Sequence, residues 1–438
     1  MKRQSKRLLC AVLPFILLLT GCAGAAPVRT EPDSSTGRAE LPGAFPAVPA
    51  QSDETPTPPS GTEAQTEAES DASAPAQTEA PPEPQPLPSQ AELRLAGMSL
   101  GERVAQLFVV TPEALSGSPR SVTRVDDALR QGFSSIPVGG VICMGQNLHD
   151  PEQTKALLQD LQALSAERLG LPLLLGVDEE GGTVARISGT PAFGISPWPD
   201  MAEIGAAGDP TRARSLGRTM GVYLRELGFN LDFAPVADVL TNPDNRVVAR
   251  RAFGRDAETV IAMAAAVSDG LLDAGVLPCW KHFPGHGSTA ADSHLGTAVS
   301  QRSFDELPES PELAPFLYAA RQGVPMIMTG HISIPGTPGA DLPASLSGPL
   351  LELLRGPETA YDGLLITDAL NMGAIANRFS PGEAAVLALE AGNDLLLTAG
   401  HLQEAYEGVL LALQEGRLSE ERLNQSVLRI LKTKEDLP

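Results

Sequence analysis

Basic residues are scarce in this sequence. The 438 residues include 32 lysines and arginines against 54 aspartates and glutamates, which gives a formal net charge of −22. No run of basic residues follows residue 7. Proteins that bind nucleic acid need a basic patch to neutralise phosphates, so we expect no nucleic-acid partner.

Cysteine is also rare. Of the four cysteines, Cys10 and Cys22 lie in the first 22 residues, and Cys143 and Cys279 lie within apolar, strand-like runs. Two distant cysteines cannot form a disulfide framework, and a free cysteine in an apolar run behaves as a small hydrophobic residue. We therefore expect Cys143 and Cys279 to be buried free thiols.

The amino terminus lacks an apolar run long enough to span a membrane. A basic segment at residues 1–7 precedes an apolar run at residues 8–19, and about 20 apolar residues are needed to cross a bilayer. Residues 1–21 are therefore predicted to be a signal peptide. The ending Leu19-Thr20-Gly21-Cys22 resembles a bacterial lipobox, in which the cysteine thiol accepts a diacylglyceryl group. We expect a lipoprotein anchored outside the cytoplasmic membrane through Cys22. The alternative is an ordinary signal peptide followed by a chance cysteine.

Residues 22–90 have too little apolar content to form a core. Of the 39 prolines in the chain, 14 lie between residues 23 and 90, together with eleven acidic and two basic side chains. Such a composition cannot offset the entropy of ordering the backbone. We predict a disordered linker over residues 22–90, which as a coil would span about 45 Å, and a folded domain over residues 91–438.

From residue 104 onward, short apolar runs alternate with helical patterns. The strand candidates are residues 106–110, 140–144, 173–177, 230–235, 276–280, 326–329, 364–367 and 394–397. The helix candidates between and after them include residues 151–169, 210–227, 257–274, 311–322, 383–391 and 402–431. Eight alternating units in one domain predict an α/β fold, a single (β/α)8 TIM-type barrel, rather than an open doubly wound sheet.

Polar residues collect where these strands end. They are Asp178, Glu180, Asp238, Lys281, His282, His331 and Asp368. A barrel places the carboxyl ends of its strands on one face, where barrel enzymes carry their active sites. A single aspartate at a strand end is often only a helix cap, but five strands with this feature indicate a functional site.

The segment at residues 281–294 admits two interpretations. His282, His286, Asp292 and His294 are possible metal ligands, but their spacing fits no compact ligand motif and Lys281 adds a competing positive charge. In the second interpretation Asp292 orients His294 and stabilises its protonated form for acid/base chemistry. We favour the second and expect no metal and no cofactor.

Asp368 follows a buried strand, where a carboxylate can be held rigidly and kept ionised, as a nucleophile requires. The alternative is a cap of the next turn. Arg186, Arg251 and Lys281 supply cations for such a site, although each alone is more often a surface ion-pair partner.

Five ordered motifs carry a family resemblance. They lie at residues 178–186 (DEEGGTVAR), 250–254 (RRAFG), 281–287 (KHFPGHG), 292–294 (DSH) and 366–368 (ITD). Together they resemble the β-N-acetylhexosaminidases of glycoside hydrolase family 3, over nearly all of residues 98–435. The resemblance implies a retaining two-step reaction with Asp368 as nucleophile and His294, supported by Asp292, as acid/base. It also implies that the terminal sugar is held by Asp178, Arg186, Arg251, Lys281 and His282.

The sequence departs from the family pattern at a few positions. The family commonly has Gln at Glu179, Arg at Thr183, Gly-Asp or a similar pair at Ala249-Arg250, and Asp at Ser288. None of these changes removes a catalytic atom. They affect the leaving-group side of the pocket. They also leave open whether Arg250 or Arg251 corresponds to the sugar-binding arginine of the family. We expect the chain to lack the second α/β domain found in many family 3 β-glucosidases, and this, with the Asp-Ser-His loop, favours N-acetylglucosaminides over glucosides.

We therefore expect an exo-β-N-acetylglucosaminidase that acts on cell-wall fragments or chitin-like oligosaccharides. One alternative is a phosphorylase, because a neutral histidine repels incoming phosphate less than a glutamate would. A second is a non-catalytic sugar-binding lipoprotein. A third is a substrate-assisted mechanism that uses the adjacent carboxylates Asp178 and Glu179.

Overall fold

The computed structural model describes residues 88–289, 296, 298–339, 341–397 and 401–437. The predicted signal peptide, nearly all of the predicted linker, and the residues Cys22, Asp292 and His294 lie outside this part of the chain. The first helix begins at Gln90, where Ser89 and Glu92 form a reciprocal capping box. The boundary predicted after residue 90 therefore falls inside a helix, because this cap starts the helix one residue earlier.

Eight parallel strands form the central sheet of the described residues. They are β1 (Phe108–Val110), β2 (Gly140–Ile142), β3 (Leu174–Val177), β4 (Leu231–Asp232), β5 (Leu277–Phe283), β6 (Met326–Thr329), β7 (Leu364–Thr367) and β8 (Leu396–Leu397). Neighbours in sequence are neighbours in the sheet, and β8 pairs with β1 through Phe108 and Leu396. A parallel bridge between Ile366 and Leu395 joins β7 to the start of β8. The sheet thus closes, and the predicted (β/α)8 barrel is confirmed.

Fourteen α-helices accompany the strands in the described residues. They are α1 (Gln90–Gly97), α2 (Leu100–Ala105), α3 (Pro112–Ser116), α4 (Asp127–Ser135), α5 (Pro151–Leu169), α6 (Met201–Ala206), α7 (Pro210–Leu227), α8 (Ala257–Asp273), α9 (Ala314–Arg321), α10 (Gly348–Arg355), α11 (Gly373–Ala376), α12 (Pro381–Ala391), α13 (Leu402–Gln414) and α14 (Glu420–Glu435). Local signals set the bounds of the long ones. For example, Asp150 caps α5, Pro151 occupies its first turn, and Gly170 ends it in the left-handed conformation. None of the described helices is long and apolar enough to cross a bilayer.

The fifth strand differs from its prediction. The sequence placed its end at Trp280 and treated the following segment as a loop, whereas β5 continues through Lys281 and His282 to Phe283. Lys281 pairs with Val236 in a parallel bridge, and its carbonyl oxygen accepts from the Ala237 N–H at 2.7 Å. These backbone bonds extend the strand, so the side chains of Lys281 and His282 project from the sheet rather than from a loop.

Two small sheets continue from the barrel strands. Glu179–Gly181 pairs antiparallel with Val184–Ala185 just after β3. Ala298–Val299 pairs in parallel with Ile332–Ser333 just after β6. Both small sheets lie in segments that follow the carboxyl ends of barrel strands. The polar residues predicted to form the site lie at the same ends.

A buried charge cluster lies at the start of β8. The Asp394 carboxylate is fully buried and accepts from Arg355, from Arg429 at 3.2 Å and from the Ser426 hydroxyl at 2.5 Å. It also accepts the Leu365 N–H at 3.0 Å. Because these partners lie on α10, α14 and β7, the cluster fastens the last helix and the closing strand together.

Lys434 near the end of α14 is a buried amine without a carboxylate partner. Its side chain is 3% exposed, and Nζ donates to Oε1 of the fully buried Gln106 at 2.8 Å. Gln106 in turn donates to the carbonyl oxygen of Pro137 at 2.8 Å. Burial lowers the pKa of Lys434 to about 7.

This lowered pKa predicts a pH-dependent stability. The pKa of a lysine amine in the unfolded chain is about 10.4. Between about pH 7 and pH 10 the unfolded state therefore binds more protons than the folded state. The free energy of unfolding should rise with pH in that window, by at most about 1.4 kcal/mol per pH unit from this group. Lys434→Met removes the group. The free energy of unfolding of the variant, measured by urea unfolding, should therefore increase relative to that of the parent as the pH falls.

The exposed Lys432 on the same helix provides the matched control, Lys432→Met. Its difference from the parent should stay constant with pH. If the parent and Lys434→Met show parallel pH profiles, Lys434 is charged in the folded protein.

Candidate active site

Glu180, Arg251 and Lys281 form a buried charge cluster at the carboxyl ends of β3 to β5. Arg251 donates from Nε and Nη2 to the two oxygens of Glu180, each at 2.7 Å. Lys281 Nζ lies 2.7 Å from Glu180 Oε1 and 2.8 Å from Asp178 Oδ1. The side chains of Glu180 and Lys281 are 1% and 3% exposed. These contacts bring three of the sequence-predicted residues, Asp178, Arg251 and Lys281, into one site.

The cluster keeps its members ionised. Burial opposes the charge of Glu180, but the positive charges of Arg251 and Lys281 and their hydrogen bonds hold its pKa well below the ordinary value. Burial also opposes the charge of Lys281, whose pKa Asp178 and Glu180 raise well above its usual range. Each charge offsets the desolvation of the others, so the cluster is a preorganised set of donors and acceptors.

His282 is oriented by a buried carboxylate. Its Nδ1 lies 2.8 Å from Asp238 Oδ2, and Asp238 Oδ1 accepts the His286 N–H at 2.6 Å. Burial would raise the pKa of Asp238, but His282 and His286 lower it below the ordinary value. An ionised Asp238 can only accept, so His282 carries its proton on Nδ1 and turns Nε2 toward Arg251 Nη2, 3.5 Å away.

Asp368 stands at the end of β7 on the same face. Its N–H donates to the Thr329 carbonyl oxygen at 2.8 Å, and its Oδ1 accepts the Ala369 N–H at 2.7 Å. Burial opposes ionisation, but nearby His331 and His282, the Ala369 N–H and Lys281 bring the pKa of Asp368 below its ordinary value. A half-buried, ionised carboxylate on a rigid strand end can act as a nucleophile.

Arg186 directly follows the short antiparallel pair after β3. Its Nε is buried and has no hydrogen-bond partner among the described residues. The two residues after it donate their N–H groups to the fully buried Glu179, Ile187 at 2.8 Å and Ser188 at 2.9 Å. Glu179 Oε1 also accepts from the Tyr223 hydroxyl at 2.8 Å. The Glu179 carboxylate therefore holds the segment that carries Arg186, and both of its oxygens already accept hydrogen bonds.

Two departures from the family pattern meet at Asp200. The Thr183 hydroxyl donates to Asp200 Oδ1 at 2.9 Å, and Arg250 Nε pairs with Oδ2 at 2.5 Å. The Arg250 side chain is 71% exposed, whereas that of Arg251 is 14% exposed. Arg251, not Arg250, therefore contacts Glu180 and approaches His282.

Asp292 and His294 lie outside the described residues, but the chain on either side of them is well anchored. Asn242 and Asn245 donate to the carbonyl oxygens of Thr289 and His286, at 3.1 and 2.8 Å. The hydroxyls of Ser288 and Ser300 lie 3.1 Å apart across the base of the segment. No group of three or more potential metal ligands occurs among the described residues.

Some residues of the site were seen in the sequence but given no role there. Glu180, Asp238 and His331 were noted only as polar residues at strand ends. Their contacts depend on which neighbouring strand each faces, which sequence spacing does not give. The sequence marks Glu179 as a departure from the family pattern and as a carboxylate of the substrate-assisted alternative, but no signal in the sequence points to Tyr223 as its partner.

Removing the charge of Glu180 should destabilise the fold. Glu180→Gln leaves the buried cations Arg251 and Lys281 close together without their shared counter-charge, so the free energy of unfolding should fall by about 3 kcal/mol. Glu203→Gln on the exposed surface of α6 is the matched control and should change it by less than about 0.5 kcal/mol. Equal urea midpoints for the two variants would mean that water or protein motion compensates the charges of Arg251 and Lys281 without Glu180.

Comparison with known proteins identifies the family of this chain. The model of the glycosyl hydrolase family 3 N-terminal domain matches residues 99–433. Over 272 residues the chain is 39% identical to beta-hexosaminidase LpqI of Mycobacterium tuberculosis, covering 59% of this chain and 67% of that protein. Over 298 residues it is 38% identical to a beta-hexosaminidase of Alkalilimnicola ehrlichii, covering 67% and 82%.

A solved structure shows the same fold. The family 3 beta-N-acetylglucosaminidase from Paenibacillus sp. matches with a TM-score of 0.71 and 38% identity, over 77% of this chain and 62% of that one. This chain thus spans less than two thirds of that relative. The family model matches most of the chain and the fold matches that structure, so this protein belongs to glycosyl hydrolase family 3 and contains the family's N-terminal domain.

Proposed function

We propose that this protein is a retaining exo-β-N-acetylglucosaminidase that removes terminal, non-reducing N-acetyl-β-glucosamine from cell-wall fragments or chitin-like oligosaccharides. The observation that carries the proposal is the Asp368 carboxylate at the carboxyl end of β7, on the same barrel face as the Asp178, Lys281 and His282 side chains. A sugar bound by those side chains would present its anomeric carbon to a carboxylate that is ready to attack.

In the first step Asp368 attacks the anomeric carbon and forms a glycosyl ester, while the bond to the leaving-group oxygen breaks. His294 gives that oxygen a proton. In the second step water attacks the same carbon, His294 takes the proton, and the ester bond breaks to release the sugar and the Asp368 carboxylate. Asp292 stabilises the protonated imidazole, which is present before the first step and is restored by the second.

The binding side of the site supports this role. Lys281 supplies donors and Asp178 an acceptor at 2.8 Å from each other, and His282 is held in one tautomer by Asp238. Arg251 is fixed by Glu180, and Arg186 has a buried Nε with no protein partner. We assign these groups to the hydroxyls and the N-acetyl side of the terminal sugar, where fixed donors and acceptors favour one orientation.

Release of a chromophore from an aryl N-acetyl-β-glucosaminide, with and without inorganic phosphate, tests the proposal. Hydrolysis without phosphate is expected, with free N-acetylglucosamine as the product. A sugar phosphate formed only when phosphate is present would make the protein a phosphorylase. No release under either condition, together with retained binding of the sugar, would make it a sugar-binding protein.

Asp368→Ala should abolish turnover of every glycoside, because the glycosyl ester cannot form without that carboxylate. A mechanism-based fluorinated glycosyl donor should label Asp368 in the parent, as peptide mass spectrometry can show. Potent inhibition by thiazolines, which mimic an oxazolinium intermediate, together with retained activity of Asp368→Ala would favour the substrate-assisted mechanism instead.

His294→Ala should cause a loss that depends on the leaving group. An aryl leaving group of low pKa needs little protonation, so its glycosylation step should slow much less than that of a natural sugar leaving group. Water still needs a base, so the intermediate should accumulate, give a burst, and be released by azide. Asp292→Ala should show a milder form of this behaviour. Equal losses on good and poor leaving groups without azide rescue would leave the acid/base unassigned.

We also propose that the protein is anchored to the outer face of the cytoplasmic membrane through a lipid on Cys22. Cys22→Ala should move it from the membrane fraction to the soluble fraction while the purified catalytic activity stays unchanged. Membrane association of this variant that survives high salt would place the anchor elsewhere.

A further inference from the structure

A closed circuit of hydrogen bonds surrounds Asp368. It runs through residues of β6, of β7 and its following turn, and of the segments before α10 and β8. Its members are Thr329, His331, Ser345, Asp368, Ala369 and Asn393. His331 and Ser345, both buried, take no part in the reaction as described above.

The first half of the circuit holds the backbone of Asp368. The Asp368 N–H donates to the carbonyl oxygen of Thr329 at 2.8 Å. The Thr329 hydroxyl donates to Asn393 Oδ1 at 2.8 Å, and Asn393 Nδ2 donates to the carbonyl oxygen of Ser345 at 2.9 Å. The start of the nucleophile's turn is thereby tied to the segment that carries Ser345.

The second half returns from Ser345 to the Asp368 carboxylate. The Ser345 hydroxyl lies 2.8 Å from His331 Nδ1, and His331 Nε2 lies 2.9 Å from the Ala369 carbonyl oxygen. The Ala369 N–H donates to Asp368 Oδ1 at 2.7 Å. Ala369 is therefore held at its carbonyl by His331 while its N–H holds the carboxylate.

The chemistry of these partners fixes the proton on His331 Nε2. A carbonyl oxygen can only accept, so Nε2 must carry a proton and donate to Ala369. The Ser345 hydroxyl can donate to Nδ1 of a neutral ring or accept from a protonated one. His331 is 1% exposed and Ser345 is fully buried, so water cannot readily replace either bond.

We propose that His331, together with Ser345, is a positioning residue for the nucleophile. The pair fixes Ala369 so that its N–H engages Oδ1 of Asp368 and leaves Oδ2 to form the bond to the anomeric carbon. His331 acts through Ala369 and moves no proton in the reaction. This inference rests on the proposed role of Asp368.

The two steps of covalent labelling separate positioning from binding. With the fluorinated donor, the inhibition constant reports how well the sugar is held, and the first-order inactivation rate reports attack by Asp368. Misplacing a reacting group by about 1 Å can cost about 100-fold in rate. His331→Ala should therefore slow inactivation by about 100-fold, with an inhibition constant within about twofold of the parent.

Three further variants sharpen the test. Ser345→Ala removes only a hydroxyl and should slow inactivation by about tenfold. His331→Gln keeps an N–H donor near the position of Nε2 and should be faster than His331→Ala. Ser347→Ala, a buried serine outside the circuit and two residues from Ser345, is the matched control and should label at the parent rate.

The loss of activity in the His331 and Ser345 variants should be equal for good and poor leaving groups, and azide should not restore the activity. This behaviour distinguishes these residues from a proton donor. Parent-like inactivation of His331→Ala overturns the inference, and if that variant fails to fold, parent-like inactivation of Ser345→Ala overturns it. A loss confined to the inhibition constant also overturns it, because His331 would then bind the sugar. Failure of the parent to label at Asp368 overturns the proposed function instead.

Discussion

Closure of the eight-stranded sheet is the constraint on which the rest of this structure depends. The final strand is only Leu396–Leu397, yet it pairs with β1, and the preceding Leu395 bridges to Ile366 of β7. All pairings are parallel, so the carboxyl ends of the strands meet at one face. The buried Asp394 and its arginine partners secure this closure from the opposite end. Asp178, Lys281 and Asp368, separated by up to about 190 residues, can converge only because the ring is complete.

Burying ionised groups at that face requires that every charge have an opposing one. Glu180 lies between Arg251 and Lys281, and Lys281 also reaches Asp178. Such a cluster adds little net stability compared with apolar packing, because desolvation offsets much of the attraction between the charges. What it supplies is a rigid set of polar groups whose orientation does not change when a ligand replaces water. By contrast, Arg250, whose side chain is 71% exposed, pairs with Asp200 and holds no group of the cluster.

Buried hydrogen bonds also hold the other residues of the site in place. Asp238 fixes His282, Glu179 fixes the segment after Arg186, and the circuit through His331 and Ser345 fixes the turn after Asp368. Each supporting group is buried, and each holds a group nearer the pocket through backbone or ring nitrogen atoms. Support of this kind keeps reacting groups within the narrow tolerances that catalysis requires.

The sequence by itself determined the barrel, the bounds of the two longest helices α5 and α7, and the motif residues, because these follow from local periodicity, capping and residue type. Helix α5, for example, is bounded by the Asp150 cap and Gly170, which can be read directly from the chain. Only the tertiary structure decided that Lys281 and His282 belong to β5, since the bonds that extend the strand come from Val236 and Ala237. It alone decided that Arg251 rather than Arg250 faces inward, and that His331 reaches Ala369. The reason is physical: these contacts join residues distant in sequence, and their geometry is fixed by barrel closure rather than by local preference.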